Sequence, residues 1–222
     1  MRLKLDMIRK IKNRVKSITK TQIVKNNIEG KDNKIHYKNA NLTQVSFDIL
    51  GNNNSILIKD GARINKLMFF IRGDNHVIEI EENCLINHGG CFWFEDKNGY
   101  LRIGKNTTIE SAHIAITEDN SSVNIGENCM LAHDIDIRTG DSHSIIDENT
   151  GKRTNLAKNI AIDNNVWIAT RAILLKGIKL GQNSVVATGA IVTSANGEEG
   201  VIWAGNPARI VKHGISWSRE RL

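Results

Sequence analysis

The residues most able to do chemistry in this chain are His143, preceded by Asp141, and Trp167, set in the run Asn165-Val166-Trp167-Ile168. A hydroxyl is a poor nucleophile at its own pKa. An imidazole titrating near neutrality can remove its proton as attack proceeds. A carboxylate two residues away is placed to orient that imidazole. Acyl transfer also passes through a tetrahedral oxyanion that needs fixed N–H donors, and Trp167 carries one. Spacing alone leaves a plainer alternative open, in which His143 is an exposed loop histidine and Trp167 a wall-packing residue.

What must position these groups is a six-residue period. Apolar residues recur at Ile162, Ile168, Leu174, Leu180, Val186 and Val192. Helices repeat at three and four and lone strands at two, so a period of six predicts three short strands per turn of a triangular coil. The second inward position, four residues later, is small: Val166, Ala172, Ser184 and Ala190, with Ile178 as the bulky exception. Upstream the same register appears as Ile58/Ile64/Phe70, Ile80/Ile86/Phe92, Ile103/Ile109 and Ile125/Leu131/Ile137. The first members of these sets are 22, 23 and 22 residues apart. The extra residues fall in polar turns (Gly51-Asn52-Asn53-Asn54, Gly73-Asp74-Asn75, Asp96-Lys97-Asn98-Gly99 and Asp119-Asn120-Ser121-Ser122), predicted to line one edge of the prism. Cys84 and Cys129 fall in the small inward slot, where a thiol behaves as a small hydrophobe. Cys91 has no partner either, and the three together point to a reducing cytoplasm.

The hexads stop after Ile137 and resume at Ile162. Residues 138–161 therefore form one long excursion, and loops of that length in compact domains are usually functional or disordered. His143 lies near its start, and Glu148 to Arg153 reads as a polar hairpin. The expected organisation is a basic amphipathic helix over 1–25, an all-β, left-handed parallel β-helix over 26–209 with loop 138–161, and a C-terminal tail over 210–222 anchored by Trp217. The single proline, Pro207, would end the coil, because proline forbids a further ladder bond.

The charge of +6 is uneven: residues 1–25 hold nine Lys/Arg against Asp6, leaving a net −2 for the rest. A nucleic-acid surface would need a basic face on the folded body, so nucleic acid is excluded as a partner. Met7, Ile11, Val15 and Ile18 give the leader an apolar stripe. Two readings compete for it: a cap over the first open coil, or a peripheral contact with the anionic inner face of the plasma membrane. Neither a signal peptide nor a spanning run is present, so the expected location is cytoplasmic.

Beyond periodicity, the stretch from Ile160 to Lys212 resembles the hexapeptide-repeat acyltransferases of the galactoside and maltose acetyltransferase type. The resemblance is carried by Asn165-Val166-Trp167-Ile168, Lys176-Gly177, Leu180-Gly181-Gln182-Asn183-Ser184, Ile191-Val192-Thr193 and Ala204-Gly205-Asn206-Pro207-Ala208-Arg209. A looser match, from the turn at Gly51 through the Asp141-Ser142-His143 loop to Trp217, is to the bacterial capsular polysialic acid O-acetyltransferases. The resemblance implies a left-handed β-helix acting as a homotrimer, acetyl-CoA as co-substrate without a metal, and a saccharide acceptor. It assigns His143 as general base, with Trp167 sharing the catalytic site. It places Thr170, Thr188, Thr193 and Ser194 along the CoA groove, and Arg209 and Lys212 at the CoA phosphates. Three positions depart from the family pattern: Ser144 stands where relatives have proline, Ala169-Thr170-Arg171 where they have glycines, and the Gly-Ala step is shifted to Ala187-Thr188-Gly189.

His88, His113 and His133 raise a metal site of the carbonic anhydrase kind. That site needs three converging histidines, and His113 is out of phase with the other two, so no metal is expected and His113 is read as an acceptor contact. Two further functions compete with O-acetylation. An N-acetyltransferase of a nucleotide-linked amino sugar usually has an α/β domain ahead of the coils, for which residues 1–50 are too short. A non-catalytic β-solenoid binding module predicts flat threonine ladders and no excursion.

Overall fold

The computed structural model describes residues 24–221. Among the described residues, three parallel sheets of eight, seven and nine strands form the walls of a triangular left-handed β-helix, and only the last strand is antiparallel. Among the described residues there is no helix. The helix expected over 1–25 lies outside the described residues except for Val24 and Lys25, which already stand in the first strand, Val24–Glu29.

The period works as the residue types dictate. Ile162, Ile168, Leu174, Leu180, Val186 and Val192 are all buried, as are Val166, Ala172, Ile178, Ser184 and Ala190 in the second slot. Full burial of such an aliphatic side chain contributes about 1.5–3 kcal/mol. At the corners, asparagines adopt the left-handed conformation that their short polar side chains tolerate, as at Asn106, Asn128, Asn165 and Asn183. Their amides then bond coil to coil, Asn165 Nδ2 donating to Asn183 Oδ1 at 2.7 Å. Cys84 and Cys129 are fully buried in the small slot. Burial pushes the Cys84 thiol up to about 12 and that of Cys129 to about 11.

The predicted polar turns do stack on one edge, between the first and second sheets. Asn75 N donates to Asn52 O, Asn98 N to Asp74 O and Asn120 N to Lys97 O. One inward assignment is corrected. Phe70 faces outward, and Phe69 and Ile71 fill the core. The corner before it is a single left-handed residue, Lys66, one shorter than the hexad count assumes, so every side chain of Leu67–Asp74 changes face. Phe70 then stacks on outward-facing Trp93 at 4.0 Å.

Pro207 sits in the turn between strands Ile202–Gly205 and Ala208–Lys212, whose antiparallel pairing covers the last edge of the third sheet. The tail then runs back over that sheet. Trp217 Nε1 donates to Asn165 O at 2.6 Å, and Arg219 bonds Thr108 Oγ1 and Cys129 O, so Trp217 is the anchor expected of it.

Candidate active site

The excursion leaves the first sheet after strand Ile135–Arg138 and re-enters the second at Ile160–Ile162. Its middle is a hairpin: Ile146 pairs with Arg153 antiparallel, and Asp147 N donates to Lys152 O. The stretch is fastened to the coils at two points. Arg153 makes a bidentate pair with Glu118, and Asn155, only 8% exposed, acts as a hub. Its Oδ1 accepts from Ile145 N at 2.7 Å and Arg153 Nε at 3.1 Å, while Nδ2 donates to Asp141 Oδ2 at 2.9 Å and His143 O at 2.7 Å.

Asp141 is therefore placed differently from the sequence expectation. Its carboxylate is bound by Lys176 Nζ and Asn155 Nδ2, and its carbonyl accepts from His143 N at 2.7 Å. These contacts fix the backbone carrying His143 and do not involve its imidazole. The Lys176 ammonium, with Asn155, holds the Asp141 carboxyl below the usual carboxylate range.

His143 is exposed and opens on a cleft of about 410 Å³ shared with Trp93, Glu95, His113, Thr117 and Arg138. Neighbouring strands of the first sheet supply this wall, in the register Trp93↔Ala115↔Arg138 and Cys91↔His113↔Asp136. His113 Nδ1 lies 3.2 Å from Asp136 Oδ1, and Asp136 also accepts from Arg138 Nε at 2.9 Å. Burial alone would raise the Asp136 carboxyl. The His113 and Arg138 hydrogen bonds outweigh it, and the net displacement is downward. The His–carboxylate pair of this cleft is thus His113–Asp136. Thr117 Oγ1 is buried beside it without a protein partner among the described residues.

The other expected site residues are divided among the prism's edges. Trp167 faces outward from the third sheet and packs on Trp217 at 6.0 Å between ring centroids, away from the His143 cleft. Thr170 and Thr188 stack on the corner leading to the first sheet, Gly189 N donating to Thr170 O. Thr193 and Ser194 lie on the edge from which the excursion departs, one coil beyond Leu175 and Lys176. Arg209 and Lys212 are exposed on the antiparallel cap strand.

The sequence reading missed Asn155, Glu118 and Asp136, each of which has a partner 14 or more residues away: Asp141 at 14, Ala157 at 39 and His113 at 23. It also missed Glu110. Its carboxylate joins His88 and His133 so that one donor atom from each lies within 4.8 Å of the others. His113 is not part of that group.

No family model matches the chain. Over 193 residues it is 31% identical to a polysialic acid O-acetyltransferase of Neisseria meningitidis, covering 86% of this chain and 88% of that protein. A polysialic acid O-acetyltransferase of Escherichia coli O1:K1 / APEC is 36% identical over 123 residues, a match spanning 55% of this chain and 39% of that one. The crystal structure of the polySia specific acetyltransferase NeuO superposes with a TM-score of 0.81 at 32% identity, covering 89% of each chain.

Proposed function

Because the chain belongs to the polysialic acid O-acetyltransferase family of hexapeptide-repeat acetyltransferases, we propose that it transfers acetyl from acetyl-CoA to a hydroxyl of a bacterial surface polysaccharide or its precursor. Sialic acid polymers are the first acceptor to try. The observation that carries the mechanism is the opening of His143, on an anchored backbone, into a cleft walled by His113, Arg138 and Trp93.

In this reading the His143 imidazole takes the proton of the acceptor hydroxyl as its oxygen attacks the thioester carbonyl. The C–S bond then breaks, and the imidazolium returns the proton to the departing thiolate. Trp167 serves the same centre. Asp141 acts as a positioning residue, through Lys176, Asn155 and the loop backbone. The acceptor meets His113, which Asp136 orients.

The placement of Trp167 on a different wall from His143 supports a site shared between copies. A homotrimer of parallel prisms would bring the excursion edge of one copy, with Thr193 and Ser194, against the third-sheet edge of the next, with Thr170 and Thr188. The residues present fit a CoA-type donor. Hydroxyls stand in register along an edge that is open at Gly189, where a Cβ would meet nothing within 4 Å, and Arg209 and Lys212 offer exposed cations for its phosphates.

Among the described residues no helix is long and apolar enough to cross a membrane. The nine cations of residues 1–25 support a cytoplasmic enzyme touching the anionic inner face of the plasma membrane, which co-sedimentation with anionic and neutral vesicles would test.

The functional reading is tested by incubating the protein with acetyl-CoA and a panel of capsular and lipid-linked saccharides. Acetyl should appear on the saccharide as a hydroxylamine-labile ester. A hydroxylamine-stable amide would replace this reading with N-acetylation, and acetyl-CoA hydrolysis without sugar modification would remove it. The shared site is tested separately. His143→Ala and Trp167→Ala chains, each inactive, should regain part of the activity when assembled together.

A further inference from the structure

A second group of chemically capable side chains stands away from the cleft, on the edge where the third sheet turns into the first. Ile86, Ile109 and Leu131 are ladder partners on one side of that corner, and Gly90, Ala112 and Ile135 on the other. Three residues make the corner in the outer two coils (Asn87-His88-Gly89 and Ala132-His133-Asp134), but only Glu110-Ser111 in the middle one. The shortened corner is a recess flanked by two histidines.

The side chains close over that recess. Successive coils are about 4.8 Å apart, so His88 and His133, two coils apart, start roughly 9.6 Å from each other by the same spacing. Their ring centroids are nevertheless 5.2 Å apart. Ser111, between them, is small enough to permit this. Glu110 reaches the same point: its Oε2 lies 3.5 Å from His88 Nε2, while its Oε1 accepts from Asn87 Nδ2 at 2.8 Å. Asn87 is itself fixed, its carbonyl accepting from Asn65 Nδ2 at 2.8 Å. An oriented carboxylate with one free oxygen and two imidazoles therefore face one point from a rigid backbone, the kind of outer support that metal ligands normally have.

We propose that His88, Glu110 and His133 bind one divalent transition ion, Zn²⁺ being the ion their chemistry suits best, with the remaining coordination open on the surface. Two imidazoles select against Mg²⁺ and Ca²⁺, which take oxygen donors. In a tetrahedral Zn²⁺ site with bonds of about 2.0–2.2 Å the donors lie roughly 3.3–3.6 Å apart. The present spread, within 4.8 Å, closes by side-chain rotation of two exposed histidines. The ion would clip three successive coils together. The proposal stands whether or not the acceptor assignment does.

The test uses the full chain, stripped with chelator and titrated with Zn²⁺ by calorimetry and with Co²⁺ by visible absorption at neutral pH. One ion per chain is expected, with a higher thermal midpoint when it is bound. His133→Ala and Glu110→Gln should weaken binding at least tenfold and remove the thermal shift; His213→Ala, elsewhere on the surface, should change neither. Binding should also fall on acidification, because imidazole must be deprotonated to ligate. Absence of saturable binding would overturn the proposal. So would binding indifferent to both His88→Gln and His133→Ala, or binding abolished instead by His143→Ala, which would put the ion in the cleft.

Discussion

Replacing Asn155 by alanine removes no group that touches the reacting atoms, yet it should disable the enzyme. The side chain makes four hydrogen bonds inside the excursion, to Ile145, Arg153, Asp141 and the carbonyl of His143. At about 0.5–1.5 kcal/mol net for each, and with water recovering part of the loss, the ordered loop should lose about 2–4 kcal/mol. Each 1.36 kcal/mol is about a factor of ten in rate or population. The expected fall in kcat/KM is therefore about 10²-fold, smaller by whatever stability the ordered loop holds in reserve. Asn155→Asp keeps the two acceptors but sets a carboxylate against Asp141, and should act in the same direction. Steady-state thiol release reads the rate, and trypsin cleavage at exposed Lys152 and at Arg153 reads loop order. The thermal midpoint should move little, since the hydrophobic core lies inside the coils. Wild-type kcat/KM together with an unchanged cleavage rate would refute the positioning argument.

Asp141, held below the usual carboxylate range by Lys176, contributes stability that is present above the unfolded pKa of about 3.9 and lost as pH falls through the lower folded value. The urea midpoint of Asp141→Asn should trail wild type by a constant amount above pH ~5, with the gap closing below pH ~4; a gap that changes between pH 6 and 8 would contradict this assignment. All three thiols are raised by burial, Cys84 to about 12 and Cys91 and Cys129 to about 11. Native protein at pH ~8 should then resist thiol reagents that label every cysteine once it is unfolded, and rapid native labelling of Cys84 would show that the small slot is not packed as described. Trp217→Ala removes a half-buried anchor worth about 1–2 kcal/mol, so the thermal midpoint should drop by roughly 2–8 °C. Calorimetry showing no drop would mean that the tail does not hold the third sheet.

The coils were legible because their information is local. An inward residue at every sixth position, a small one four later and an asparagine at the corner are each set by near neighbours, which is why Ile162 to Val192 and the cysteine slots read correctly. The reading slipped at Phe70, where one residue fewer at Lys66 inverts the following strand and no composition signal marks the deletion. Within the excursion the sequence pointed to His143 but paired it with the nearest carboxylate. Asp141 instead meets Lys176, 35 residues later, and the carboxylate that orients a histidine of the cleft is Asp136, reached through a ladder register. Glu110 was overlooked for a related reason: it falls one column away from His88 and His133, and only the shortened corner brings it between them.

His143 is proposed as the base for acetyl transfer. It is tested most directly by single-turnover acetyl transfer from acetyl-CoA to the acceptor found in the saccharide screen, comparing wild type with His143→Ala of matching circular dichroism and oligomeric mass. The chemical step should slow by about 10²–10⁴-fold, with acetyl-CoA binding retained. A His143→Ala chain that transfers acetyl at the wild-type rate would contradict it.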